Sequence, residues 1–143
     1  MEQTTGNAYF KSALVIDDSE TDRYVANRIL QRFNFAEEIV LKESAHKALE
    51  YLLSLEYIPE QLPQFIFLDI RMPEMDGFGF LDEYAKLPES IKRNCVILML
   101  STSLDSADHQ LAEKNPFIKR FLNKPLNKEN LEILEREFPL KRL

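Results

Sequence analysis

FIFLDIRMPEMDG, residues 65–77, is the stretch whose reading decides the fold. Phe65–Leu68 is a continuous apolar run, the pattern of a strand buried on both faces, and Asp69 stops it. The loop from Arg71 to Gly77 contains Pro73, and helical spacing follows through about Ala85, with Phe78, Leu81 and Tyr84 roughly a turn apart. Pro88 ends that segment. An apolar strand, a polar stop, a short loop and an amphipathic helix make one βα unit, and the same unit recurs in both directions.

Upstream, Ala13–Ile16 is stopped by Asp17 and Asp18, and Val25, Ile29 and Phe33 then recur every four residues on a helix from about Glu20 to Phe33. A short strand at Ile39–Leu41 precedes a helix carrying Ala45, Ala48, Leu49, Leu52 and Leu53, which the prolines at 59 and 63 end. Downstream, Val96–Leu100 is the most apolar run and stops at Ser101, Thr102 and Ser103. A polar helix with a weak apolar stripe spans about Ser106 to Lys114. Phe117–Leu122 ends in Lys124-Pro125, and Asn127 is placed to cap a last helix with Leu131, Ile133, Leu134 and Phe138. Five strands alternating with five helices require a parallel sheet covered on both faces by right-handed crossovers, an α/β doubly wound fold. At 143 residues the chain is well short of the roughly 250 of a closed βα barrel.

That length suits one domain able to bury about two-thirds of its unfolded surface. We assign residues 1–11 to a polar lead-in, 12–139 to the domain and 140–143 to a tail. A lone cysteine, Cys95, provides no disulfide framework; no apolar run is long enough to span a membrane, and residues 1–11 lack a signal-peptide core. A cytoplasmic protein is expected. The net charge is −6, with lysines and arginines scattered among carboxylates, so neither nucleic acid nor membrane insertion is favoured.

In open parallel sheets, ligands sit beyond the carboxyl ends of the strands. Those ends here carry Asp17-Asp18, Asp69, Ser101-Thr102 and Lys124-Pro125. Each residue alone reads as a turn, a cap or a solvated lysine; four strand ends together do not. Carboxylates about 5 Å apart repel by roughly 3 kcal/mol per pair at an effective dielectric near 20, so a cation must offset them. Hard oxygen donors with no His or Cys select Mg²⁺, and with Lys124 as a second positive centre the set suits a phosphoryl group.

At these residues the chain resembles the receiver domain of two-component response regulators. The matching stretches are Leu14–Asp18, Phe67–Gly77 with its Asp-x-x-Met-Pro-x-Met-Asp-Gly signature, Ile97–Thr102 and Phe121–Pro125. The resemblance covers about residues 11–138 and implies a flavodoxin-like (βα)5 fold with strand order 2-1-3-4-5. It further implies that Asp69 accepts a phosphoryl group from a sensor histidine kinase or a histidine phosphotransfer protein. Asp18 would bind Mg²⁺ directly, Asp17 through water and Arg71 through its backbone carbonyl, with Asp69 completing the metal site. Lys124 would pair with the phosphoryl oxygens, and Ser101 and Phe121 would form the switch that alters a face for a downstream protein target. The only catalysis implied is self-phosphorylation and autodephosphorylation.

Four positions depart from the commonest pattern: Ser101 in place of Thr, Phe121 in place of Tyr, Thr102 in place of a small residue, and the long cationic Arg71. The β-branch of Thr102 is expected to restrict access to the acceptor. Met72-Pro73 and Gly77 would shape the acceptor loop, Gly77 by permitting a strained turn. The last helix runs nearly to Leu143, so a stand-alone receiver is expected. The competing reading is a small Mg²⁺-dependent phosphohydrolase of the haloacid dehalogenase type, with an aspartyl nucleophile. That class has Asp-x-Asp after its first strand, whereas this chain has adjacent Asp17-Asp18. Cys95 reads as a core residue, and His46 and His109 read as surface residues.

Overall fold

The computed structural model describes residues 8–138. In chain order these form β1 (Phe10–Ile16), α1 (Glu20–Arg32), β2 (Ala36–Lys42), α2 (Ala45–Ser54), β3 (Phe65–Leu68), α3 (Gly77–Tyr84), α4 (Glu89–Lys92), β4 (Val96–Ser101), α5 (Ser106–Lys114), β5 (Ile118–Asn123) and α6 (Lys128–Glu137). A 3-10 turn at Pro59–Gln61 joins α2 to β3. The strands form one sheet in the order β2-β1-β3-β4-β5, every pair parallel, as expected. No helix among the described residues is long and apolar enough to cross a membrane.

The alternation of side chains along each central strand builds a core on both faces. Leu14, Ile16, Ile66, Leu68, Ile97 and Met99 meet Ala48 and Leu52 of α2 and Phe80 and Leu81 of α3. Ala13, Val15, Phe65, Phe67, Leu98 and Leu100 meet Ala26 and Leu30 of α1 and Leu131 and Leu134 of α6. Ser19, Ser44, Asp76 and Asn127 each accept a backbone N–H at the start of α1, α2, α3 and α6, and Asn127 forms a capping box with Asn130. Helix α5 is bound to the sheet by little apolar surface: Ala112 is its buried apolar residue, and Leu111 is exposed.

Three sequence expectations are corrected. β1 begins at Phe10, so Phe10 and Lys11 belong to the sheet and not to the lead-in; residues 1–7 and the tail lie outside the described residues. The Phe10 ring packs 4.6 Å from Phe65 and 4.9 Å from Phe35, contacts distant in sequence that no local pattern reveals. Among the described residues the helices number six, because Glu89–Lys92 forms one turn behind Pro88 and buries Ile91. In the acceptor loop the residue with positive φ is Glu74, at 70°, and Gly77 serves close approach instead. A Cβ on Gly77 would lie 2.5 Å from the Asp69 carbonyl oxygen and 3.0 Å from Ile70 Cα, and the Gly77 N–H donates to the Ile70 carbonyl at 2.8 Å.

Register positions the strand ends. Ile16 pairs with Leu68 and Leu68 with Met99, so Asp17 and Asp69 leave β1 and β3 level with each other. Asp69 N–H donates to the Ile16 carbonyl and Lys124 N–H to the Ser101 carbonyl, carrying the alignment one residue past the sheet.

Because backbone blocks a side chain at Gly77, Gly77→Ala is expected to destabilise by about 1–3 kcal/mol. A Cβ at Gly79 comes closest to the flexible Met75 side chain, at 2.9 Å, with Asp76 Oδ1 at an ordinary 3.5 Å, and Gly79→Ala gains helix propensity, so its denaturation midpoint should stay near wild type. Urea unfolding of the two variants checks the contrast.

Candidate functional site

Side chains from the ends of β1, β3 and β5 meet in one place. Carboxylate oxygens of Asp17, Asp18 and Asp69 lie within 4.8 Å of one another. Asp17 and Asp69 are buried, at 3% and 7% exposure, whereas Asp18 faces solvent. Lys124 Nζ donates to Asp17 Oδ2 at 2.6 Å and stands 3.2 Å from Asp69 Oδ1. Asp17 is held from other sides too: its Oδ1 accepts the Ser19 N–H at 3.0 Å, and Arg23 donates to its carbonyl at 2.8 Å. Oxygen donors alone, two fixed and one reachable from solvent, fit a hard divalent cation such as Mg²⁺.

Two residues that sequence reasoning missed, Asp22 and Asp108, complete the surroundings. Asp22 accepts from Lys124 Nζ at 2.8 Å, so three carboxylates share the ammonium. In sequence Asp22 is only a first-turn acid of α1, favourable to the helix dipole; the chain returning at residue 124 gives it a second partner. Arg71 turns its guanidinium away to Asp108 Oδ2 at 2.5 Å. Ser101 is buried and its Oγ accepts the Ser103 N–H at 3.1 Å. It does not cap α5, whose cap is Asp105. Phe121 is half-buried, and the His109 ring stacks on it at 3.9 Å and 22°. His109 is therefore half-buried rather than on the surface as expected, while His46 is exposed. Thr102 is exposed at the wall of a cavity of about 230 Å³, beside Asp22, Val25, Lys124 and Leu126. Burial pushes the Cys95 thiol up to about 12, which fits a packing residue and not a nucleophile.

The electrostatics show an anionic site short of positive charge. Burial, followed by the neighbouring Asp17 charge, pushes Asp69 from 3.8 up to about 6 despite the opposing pull of Lys124. Burial alone would lower the Lys124 pKa, but hydrogen bonds to Asp17 and Asp22 and the Asp69 charge outweigh it and hold the ammonium protonated well above its usual range. Since the folded state binds the Asp69 proton more tightly than the unfolded chain, its contribution to stability is complete below about pH 4. It is lost as pH rises through about 6. Without divalent ions, Asp69→Asn should therefore melt several degrees above wild type at pH 7.5, with the gap closing below pH 4; calorimetry across that range checks it.

Comparison with known proteins agrees with this geometry. The family model for the response regulator receiver domain matches residues 13–134. The chain is 29% identical over 119 residues to a probable methanogenesis regulatory protein, FilR2, of Methanothrix harundinacea, covering 83% of this chain and 75% of that one. A two-component response regulator from Cytophaga hutchinsonii superposes with a TM-score of 0.82 at 28% identity, covering 90% of this chain and 96% of that chain. The receiver domain of the histidine kinase CKI1 from Arabidopsis thaliana, solved with Mg²⁺ and BeF3⁻, gives 0.74 at 26% identity and 88% coverage of each. Receiver domains generally bind Mg²⁺ at an acidic pocket and interact with histidine kinases or phosphotransfer proteins, and this chain gathers Asp17, Asp18 and Asp69 in one acidic cluster. The match favours phosphorylation-controlled signalling over the phosphohydrolase alternative. Strand order, strand-end acids and family model converge, and the chain belongs to the response regulator receiver domain family.

Proposed function

We propose that Asp69 is the phosphoacceptor of this receiver, charged by a sensor histidine kinase or a histidine phosphotransfer protein, and that the modified domain acts on a downstream protein target. The observation that carries this reading is Lys124 Nζ bridging Asp17 and Asp69 beside the solvent-facing Asp18. An Asp69 carboxylate oxygen attacks the phosphorus of the donor phosphohistidine; the P–N bond breaks, its electrons return to the imidazole, and an acyl phosphate remains on Asp69. Asp17, Asp18, Asp69 and the Arg71 carbonyl would hold Mg²⁺, which when bound neutralises charge on the phosphoryl oxygens. Lys124 supplies a second, preorganised cation beside Asp69. Asp17, fixed by Ser19 and Lys124, keeps that cation in place. The Ser101 hydroxyl and the Phe121 ring form the switch, and hydrolysis of the acyl phosphate resets the domain. Burial and the Asp17 charge raise the Asp69 carboxyl, and a bound divalent cation beside it would favour its ionised, nucleophilic form. A cytoplasmic setting, with one unpaired cysteine, suits such a module.

Two outcomes are expected. Asp69→Asn should abolish labelling from a cognate kinase and from acetyl phosphate, and EDTA should abolish it in wild type; labelling of the variant would remove Asp69 from its role. Thr102→Ala removes a stiff β-branched side chain from the wall of the site, so it should speed both acetyl phosphate labelling and acyl phosphate hydrolysis several-fold. Stopped-flow labelling and phosphate-release assays measure both rates.

A further inference from the structure

Asp108 is the buried acid that the site does not use. It is 6% exposed on α5, the helix with the least apolar anchorage. Its Oδ2 accepts from Arg71 Nη2 at 2.5 Å and from Ser103 Oγ at 2.7 Å. Both donors come from loops leaving the sheet beside the site: Arg71 is two residues past Asp69, and Ser103 is two past Ser101 and donates its N–H to the Ser101 hydroxyl. The residue after Asp108, His109, stacks on Phe121 and sets its Nε2 3.2 Å from the Ser103 carbonyl. One carboxylate thus ties both loops to α5, and its neighbour ties α5 to Phe121.

The two ends of the Arg71–Asp108 pair differ. The Arg71 side chain is 64% exposed and free to move, whereas the Asp108 side chain, 8% exposed, cannot follow without its helix. An acyl phosphate carries roughly two negative charges, about one more than the carboxylate it replaces, on three strong acceptor oxygens, and a guanidinium binds such a group better than a single carboxylate oxygen. If the guanidinium leaves, Asp108 retains only the Ser103 hydroxyl, and a buried carboxylate so poorly partnered favours a shift of its helix toward water.

We propose that Asp108 is a positioning residue that holds Arg71 on α5 in the resting domain, and that a phosphoryl group on Asp69 competes for the same guanidinium. Transfer of Arg71 to the phosphoryl oxygens releases α5 and, through His109, unloads Phe121. The proposal rests on the reading of Asp69 as phosphoacceptor.

A double-mutant cycle read by calorimetric titration of beryllofluoride in saturating Mg²⁺ tests it. Asp108→Asn keeps an acceptor for Ser103 but discharges the pair, so affinity should rise at least about three-fold. Arg71→Ala should weaken binding, and adding Asp108→Asn to Arg71→Ala should restore nothing. Hydrogen exchange gives a second readout independent of the Asp108 variant. Amides of 106–114 should exchange faster on beryllofluoride binding in wild type, and should already be fast in unliganded Arg71→Ala. Equal affinity in Asp108→Asn, an equal gain with or without Arg71, or protected α5 amides in Arg71→Ala would overturn the competition. Failure of wild type to bind beryllofluoride with Mg²⁺ would instead overturn the phosphoacceptor reading.

Discussion

The ammonium of Lys124 stands where three carboxylates from three different elements would otherwise repel one another. Asp17 comes from the end of β1, Asp22 from the first turn of α1 and Asp69 from the end of β3. Each brings negative charge into a region where Asp17 and Asp69 are nearly inaccessible to water, and a carboxylate left there without a cation would protonate or force the strand ends apart. The lysine reaches them because its own N–H continues the β4–β5 pairing through the Ser101 carbonyl. Sheet register and site charge are thus two aspects of one constraint.

That constraint leaves the site deliberately incomplete in charge. One ammonium cannot neutralise all its neighbours, and burial together with the uncompensated Asp17 charge displaces Asp69 upward. The same accounting explains why Asp18 faces solvent while Asp17 does not: one carboxylate anchors the lysine and the other remains reachable.

Around this centre the two faces of the sheet are unequal in what they can move. α1, α2, α3 and α6 are fixed by buried leucines, alanines and phenylalanines. α5 is held by Ala112, by the polar tie through Asp108 and by one ring stack. Polar ties respond to a new charge, whereas close-packed apolar surface does not. The element with the poorest hydrophobic anchorage is therefore the one that a charge change at Asp69 can displace.

The sequence by itself determined the alternation of strands and helices, the parallel sheet, and the residues at the strand ends, because apolar periodicity and polar stops are local signals. The Asp-x-x-Met-Pro-x-Met-Asp-Gly segment and Lys124-Pro125 made the site legible as well. The tertiary structure alone decided what depends on distant segments meeting. Asp22 and Lys124 are 102 positions apart, and Arg71 and Asp108 are 37 apart, so neither partnership leaves a trace in local pattern. Phe10 joined the sheet because the rings of Phe35 and Phe65 were waiting at its far end, and Gly77 was required by the Asp69 carbonyl packed against it rather than by its own φ. Periodicity reports which face of an element is buried; only the assembled chain reports which charge or which backbone atom lies against it.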